Sequence, residues 1–285
     1  MLISVIIVNY RVYPYLADCI QSVRQALSGI ESEIIVVDNE SEQEAVRMLQ
    51  TGFPDVKFIV NLTNNGYSRA NNQGWAICKG DFVLFLNPDT LVPENALRQC
   101  LDYLGKNMHV GGLGVRMVNQ AGRFLPESKR AFPSPLIAFF KLSGLSALFP
   151  RSAFLNRYAL GNLNDRDNHR VEVLAGAFFM TRKTILDRLK GFDERFFMYG
   201  EDVDLSRRII ELGYENHYLG SVTILHYKGA STNKQGRLYN HYFYESMKLF
   251  VDKYYSGSNQ WASRLLLNWG ICLAKKGARI KNWLF

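Results

Sequence analysis

The sequence predicts an α/β fold, a mostly parallel central sheet flanked by helices. Three observations predict it. Short runs of β-branched and aliphatic residues lack a polar face, helix-periodic segments separate them, and each run stops at a polar residue. Strands that are apolar on both faces belong inside a parallel sheet covered by helices on both sides. Such a sheet binds ligands beyond the carboxyl ends of its strands, so the polar residues at those ends share one rim.

The elements follow in order. Ile3 to Val8 is the first strand, and Leu16, Cys19, Ile20, Val23 and Leu27 then recur at helical spacing. Glu33 to Asp38 is the second strand, followed by a polar turn and a helix near Ser41 to Gln50. Val56 to Val60 makes the third strand and Ser68 to Cys78 the third helix. Phe82 to Leu86 is the fourth strand. It ends abruptly in Asn87-Pro88-Asp89, and Pro93 opens the next helix. The rim therefore collects Asn9-Tyr10, Asp38-Asn39, Asn64-Asn65-Gly66 and Asn87-Pro88-Asp89.

Residues 117–169 change character. Pro126, Pro133, Pro135 and Pro150 break periodicity among Arg130, Phe132, Phe139, Phe140 and Lys141. This stretch reads as an irregular insertion and a candidate acceptor region. Regular structure resumes with Val171 to Thr181, then a helix after Arg182 and an acidic cluster, Glu201, Asp202 and Asp204. Two short strands, Glu215 to Leu219 and Val222 to His226, close a catalytic unit expected to span 1–231. Residues 232–285 read as a C-terminal helical segment.

Composition narrows the class. A chain of 285 residues holds one large core, or one core with an appendage. With 47% hydrophobic and 21% charged residues, a disordered chain is excluded. The net charge of +8 admits nucleic acid, anionic lipid or a nucleotide diphosphate. No recognition motif or basic core helix supports nucleic acid, so that partner is set aside. Cys19, Cys78, Cys100 and Cys272 are too scattered for a zinc site and read as small buried hydrophobes in a reducing compartment. The N-terminus reads as a strand rather than a signal peptide, and no apolar run reaches the ~18 residues of a membrane span. A cytoplasmic location is expected. Gly112-Leu113-Gly114 lacks the third glycine of a dinucleotide fingerprint and opens a later strand.

Four constellations carry chemistry. Asp38 follows four apolar residues, where it either caps the next helix or accepts the imide N–H of a pyrimidine base. Asn87-Pro88-Asp89 fits a turn, and equally a strand-end carboxylate for Mg²⁺ or Mn²⁺ beside phosphate. Glu201, Asp202 and Asp204 suit a helix N-terminus, with Asp204 pairing to Arg207 or Arg208. Asp202, at the mouth of the sheet, can also take a proton from an attacking hydroxyl. His226 ends an apolar run and is either a satisfied core histidine or a metal ligand.

In order and spacing, these pieces resemble the inverting glycosyltransferases of family two, over roughly residues 1–231. The carriers are Val8-Asn9-Tyr10, Val36-Val37-Asp38-Asn39, the run Asn65 to Gly74, Asn87-Pro88-Asp89, Gly191-Phe192-Asp193-Glu194, Glu201 to Leu205, and His226 with Gly229 and Ser231. The resemblance implies a GT-A fold that binds a nucleotide-sugar donor. It implies nucleoside contacts from Asn9 and Asp38, and a nucleotide pocket including Asn65, Arg69 and Asn72. Tyr10, Gly66, Asn87 and Glu201 complete the expected donor-binding set. Asp89 and His226 become the ligands of Mg²⁺ or Mn²⁺, and Asp202 the base. Many relatives have Asp where this chain has Asn87. The Asn-Pro-Asp form is frequent in the rhamnosyltransferase-like branch, which points to dTDP-L-rhamnose. A UDP-hexose donor, or a nucleotide-sugar-binding module without catalysis, are the alternatives.

After Asp252 the chain has no acidic residue. Lys253, Arg264, Lys275, Lys276, Arg279 and Lys281 interleave there with Trp261, Leu265, Leu266, Trp269, Leu273, Trp283 and Phe285. Residues 258–285 therefore read as a helix on a membrane surface, or as one packed on protein. Membrane attachment would suit a lipid-linked glycan acceptor, as in assembly of O-antigen or another surface polysaccharide.

Overall fold

Burial on both faces decides the centre of the sheet. In this computed structural model, β1 (Ile3–Asn9), β2 (Ser32–Asn39), β3 (Lys57–Asn61) and β4 (Phe82–Leu86) pair in parallel, in the order β3-β2-β1-β4. Every residue of β1 and β4 is buried, and all but Ser4 and Asn9 are apolar. Helices α1 (Tyr13–Ala26), α2 (Gln43–Gly52) and α3 (Tyr67–Ile77) make the crossovers. The structure describes residues 1–40, 42–227 and 236–284, apart from the side chains of 141, 142, 236–239, 258 and 276–284.

The sheet continues beyond β4 with a change of direction. After β5 (Thr90–Leu91) and α4 (Ala96–Lys106) comes β6 (Val110–Val118). The helix begins three residues after Pro93, whose carbonyl accepts the Ala96 amide as a preceding turn. Residues 119–168 carry β7 (Lys129–Arg130), α5 (Pro135–Leu142) and α6 (Leu145–Leu148). Then follow β8 (His169–Val171), β9 (Val173–Leu174), β10 (Phe178–Arg182), α7 (Lys183–Leu189), α8 (Glu201–Glu211) and β11 (Glu215–His226). Strand β10 is antiparallel to both β4 and β6, while β6 and β11 are parallel. Consequently β1–β4, β6 and β11 all run one way, and their carboxyl ends form one rim.

One expectation is corrected here. Glu215 to His226 is a single strand, not two. Its register against β6 shifts between Leu219 and Thr223, so the apolar pattern breaks at Gly220-Ser221 while the strand continues through an irregularity. Gly112 and Gly114 on β6 also find their reason. A Cβ on Gly112 would meet Asn216 Oδ1 at 2.4 Å, and one on Gly114 would meet Leu174 Cδ2 at 2.9 Å.

The core lies on both faces of the sheet. Ile3, Val5 and Ile7 pack with α1 and α4, and Ile6 and Val8 pack toward α3, α7 and α8. Cys19, Cys78 and Cys100 are buried as expected, but Cys272 is exposed. Among the described residues no helix is long and apolar enough to cross a membrane. Two further helices, α9 (Gly236–Tyr254) and α10 (Trp261–Leu284), end the chain. Leu267 and Ile271 of α10 pack with Val251 of α9 and with Ala138 of α5. The side chains of Lys276, Arg279, Lys281, Trp283 and Phe285 lie outside the described residues, as do Gly229 and Ser231.

Candidate active site

The parallel register brings the first two rim residues together. Asn9 pairs with Asp38 across β1 and β2, and Asn9 Nδ2 donates to Asp38 Oδ2 at 2.7 Å. Both are buried at the strand ends. Asp38 is not the cap of α2, whose N-terminal flank is Glu42 with no side-chain capping bond. Next to them, Asn39 Nδ2 donates to the Gly66 carbonyl at 3.1 Å and Asn39 Oδ1 accepts from Asn61 at 2.9 Å.

The turn before α3 is held against the segment preceding α8. Gly66 has φ +81°, and a Cβ there would meet Phe197 O at 2.5 Å, so the close approach requires glycine. The Tyr67 amide donates to that same carbonyl at 2.7 Å. Asn64 Oδ1 accepts the Gly66 amide at 2.9 Å, and Asn65 beside it is half-buried. Two residues of the expected donor pocket have other surroundings in the structure. Asn72 is engaged by the Gly191–Glu194 loop: its Oδ1 accepts the Phe192 amide at 2.8 Å and its Nδ2 donates to Phe192 O at 3.0 Å. Arg69 is exposed on α3 and is not among the residues that line the cavity described below. Helical spacing puts only some residues of the Asn65 to Gly74 run on the rim side.

Pairing of β5 with β11 sets Thr90 opposite His226 and so delivers Asp89 to the histidine. His226 Nε2 lies 3.2 Å from Asp89 Oδ1, and both side chains are nearly fully buried. Neither Asp89 Oδ1 nor His226 Nδ1 has an aligned hydrogen bond. Buried polar atoms without partners are costly. An oxygen and an imidazole nitrogen at this separation fit two neighbouring ligands of one divalent cation. Asn87, which lines the same cavity as His226, offers a third, neutral oxygen.

Helix α8 presents the acids. Gly200, at φ +83°, turns the chain into the helix, and Glu201 and Asp202 follow at once. Asp202 Oδ2 accepts from Arg130 Nη2 at 2.5 Å and from the Gly176 amide at 3.0 Å, and Oδ1 accepts the Val203 amide at 2.8 Å. Glu201 is buried, with Oε2 unpartnered. Burial first, and then the neighbouring Asp202 charge, push its carboxyl up to about 8. Burial thus favours its protonated form, which can donate. Asp204 turns away into the core, where Arg208 Nε meets it at 2.7 Å; of the two expected partners it is Arg208, since Arg207 pairs with Glu211.

These parts open on one cavity of about 660 Å³. Tyr10, Asn87, Glu201, Asp202 and His226 line it from the rim and from α8. Arg130, Tyr158 and Ile137 line it from the 119–168 stretch, and Phe243 from α9. Sequence reasoning gave no role to Arg130, Tyr67 or Phe243. Arg130 sat in a basic-aromatic stretch with no periodicity to place it. Tyr67, whose hydroxyl donates to the Gly176 carbonyl at 2.9 Å, adjoins the rim motif and was within reach of a closer reading.

The model of glycosyl transferase family 2 matches residues 4–190, about two thirds of the chain. The chain belongs to glycosyltransferase family 2. It is 27% identical over 269 residues to the N-acetylglucosaminyl-diphospho-decaprenol L-rhamnosyltransferase of Mycobacterium tuberculosis H37Rv, covering 90% of this chain and 85% of that one. It is 27% identical over 171 residues to the rhamnosyltransferase WbbL of Escherichia coli K12, covering 57% of this chain and 61% of the relative. Residues 1–349 of S. aureus TarS, solved in complex with UDP-GlcNAc, superpose with a TM-score of 0.58 at 17% identity, over 94% of this chain and 70% of that one. This family 2 glycosyltransferase thus has the GT-A fold and falls in the rhamnosyltransferase-like branch.

Proposed function

We propose that this glycosyltransferase inverts the anomeric centre as it moves L-rhamnose from dTDP-L-rhamnose to a hydroxyl of a lipid-linked glycan. One observation carries the reading: Asp202 and His226 line a single cavity at the carboxyl rim, and Asp89 lies 3.2 Å behind the histidine. A single displacement needs a base on one side of the anomeric carbon and charge compensation on the other. Asp202, fixed by Arg130 and two backbone amides, is the base that takes the acceptor proton. Asp89 and His226 are the residues to hold Mg²⁺ or Mn²⁺, which when bound offsets charge on the departing nucleotide diphosphate. Protonated Glu201 is a hydrogen-bond donor to sugar or phosphate oxygen. Asn9, Asp38 and Tyr10 form the nucleoside end of the site.

The rhamnosyl donor is supported by the mycobacterial relative and by WbbL, both rhamnosyltransferases, and the lipid-linked acceptor by the mycobacterial enzyme alone. A UDP-hexose donor is the second reading, favoured by the UDP-GlcNAc complex of TarS. Calorimetric titration of nucleotide sugars, with and without Mn²⁺, separates them. Metal-dependent binding of dTDP-rhamnose over UDP-sugars supports the first reading. A UDP-sugar preference keeps the chemistry and discards rhamnose, and silence from every donor counts against the site as a whole.

The acceptor side points to a membrane surface. Trp261, Leu265, Trp269 and Leu273 recur every fourth residue on α10 and are all exposed. The helix packs against α5, whose Ile137 lines the cavity and whose Phe139 is exposed. An exposed tryptophan-rich face beside the acceptor end suits an interfacial helix. Removing residues 258–285 would strip Leu267 and Ile271 from the packed face. Trp261→Ser with Trp269→Ser is the cleaner probe. Liposome co-sedimentation should fall in that variant, and equal sedimentation removes the membrane contact.

A further inference from the structure

A second cluster of metal-ligating side chains lies at the far edge of the sheet. His109, Glu215 and His217 bring three ligand atoms within 4.8 Å of one another. Glu215 and His217 begin β11, and His226 ends it. Along β6 the register places His217 opposite Leu113 and Leu225 opposite Val118, so about six steps of ~3.3 Å, roughly 20 Å, separate His217 from His226. The two groups are therefore independent.

The sheet itself builds the cluster. Glu215 and His217 are two residues apart on a strand and so share a face. His109 precedes β6, and its carbonyl accepts the Glu215 amide at 2.9 Å, which ties the two strand starts together. Glu215 Oε2 lies 2.9 Å from His217 Nε2 and 3.9 Å from His109 Nε2. Arg170 Nη1 occupies the other oxygen, Oε1, at 2.8 Å. On the outer side of His217, the Tyr103 hydroxyl lies 2.8 Å from Nδ1 and sets Nε2 toward the carboxylate. The two imidazoles meet edge-on, with ring centroids 5.6 Å apart.

We propose that His109 Nε2, His217 Nε2 and Glu215 Oε2 form a second metal site that takes Zn²⁺, with water completing a tetrahedron. Ligand atoms about 2.0 Å from a tetrahedral zinc stand about 3.3 Å from each other, and the observed 2.9 and 3.9 Å bracket that value. Two imidazoles and one carboxylate select zinc-like ions over Mg²⁺, which keeps to oxygen ligands. Tyr103 and Arg170 play the outer part that metal sites require, fixing the ring and the carboxylate from behind. His109 is more than half exposed, so the ion enters from solvent. Bound zinc would clamp the start of β6 to the start of β11 and stabilise the fold, with no part in group transfer.

The test uses the full chain without a histidine tag, stripped of metal, in an Asp89→Ala, His226→Ala background that removes the rim site. Calorimetry with Zn²⁺ should show one ion per chain and a raised Tm. Co²⁺ should give the visible absorption of a tetrahedral N/O site. His217→Ala and His109→Ala should each weaken zinc binding at least tenfold, and Tyr103→Phe about tenfold. Circular dichroism confirms that each variant is folded. Mg²⁺ should leave the melting curve unmoved. Failure of the folded background variant to take up zinc overturns the site, as does zinc affinity left undiminished by both histidine substitutions.

Discussion

Arg130 Nη2 donates to Asp202 Oδ2 at 2.5 Å, joining the irregular 119–168 stretch to the first turn of α8. The guanidinium also donates to Leu174 O at 3.0 Å, so it is anchored on both sides of the carboxylate. Arg130 is accordingly a positioning residue: it aims Asp202 along with the Gly176 amide. Arg130→Gln should lower kcat about a hundredfold, the cost of a misplaced catalytic group, while donor affinity stays near normal. Asp202→Asn should abolish transfer and keep donor binding. Steady-state rates paired with donor calorimetry check both, and near-normal turnover in Asp202→Asn would remove it as the base.

Glu201 gives the stability a direction with pH. Its carboxyl sits near 8 in the fold against an ordinary 4.5, because burial and the Asp202 charge both disfavour ionisation. Between those two values the folded chain holds a proton that the unfolded chain has released. The stabilisation from this group is thus complete below 4.5 and is lost as pH rises through about 8. Carboxylates held low by cations, such as Asp193, Asp165 and Asp252, act on the acid side of that window. Melting followed from about pH 5 to about pH 9 should show Tm falling, and Glu201→Gln should flatten the slope. An unchanged slope in that variant would mean that Glu201 is ionised in the fold.

How far the sequence carries depends on how local each signal is. Strands β1 to β4 were legible within a residue or two: burial makes β1, β2 and β4 largely apolar runs, and β3, at the partly exposed edge of the sheet, still reads as Phe58-Ile59-Val60. The convergence of Asn9, Asp38 and Asn87 on one rim followed from parallel connectivity alone. Continuity of β11 was not legible, since Gly220-Ser221 imitates a turn while the backbone stays extended. Asn72 could not be told from a pocket residue, because its partners at Phe192 lie 120 positions away. Arg130 was invisible as a partner of Asp202 for the same reason, 72 positions apart. Contacts between distant segments leave no periodicity to read.

Asp204 shows the same lesson in the core, and it is testable. The residue is fully buried, and Arg208 Nε at 2.7 Å, Lys253 Nζ at 2.5 Å and Tyr254 Oη at 2.6 Å surround its carboxylate. Lys253 also reaches Asp193 at 2.7 Å, so α9 is pinned to α8 and to the loop before it. Asp204→Ala takes the carboxylate from between two half-buried cations, which keep only Asp193 and the Leu189 and Gly191 carbonyls, and should cost about 3 kcal/mol in urea unfolding. Lys253→Met should cost less, because Asp204 keeps Arg208 and Tyr254. Equal losses in the two variants would show that the lysine, not the carboxylate, is the centre of the network.

The rim pair Asp89 and His226 makes the last and sharpest prediction. At 3.2 Å, with no aligned hydrogen bond, the two side chains are held together by the β5–β11 pairing rather than by attraction for each other. If a cation is their shared partner, removing either ligand must raise the metal concentration needed for activity. His226→Ala should shift half-maximal activation by Mn²⁺ about 10- to 100-fold upward while saturating metal restores part of the rate. Asp89→Ala removes the anionic ligand and should not be rescued, because a neutral imidazole and the Asn87 oxygen supply no charge against the cation. Donor titrations should then lose their Mn²⁺ dependence. Activity that is indifferent to chelator in the wild type, with both variants unchanged, would reassign the pair to packing of β11.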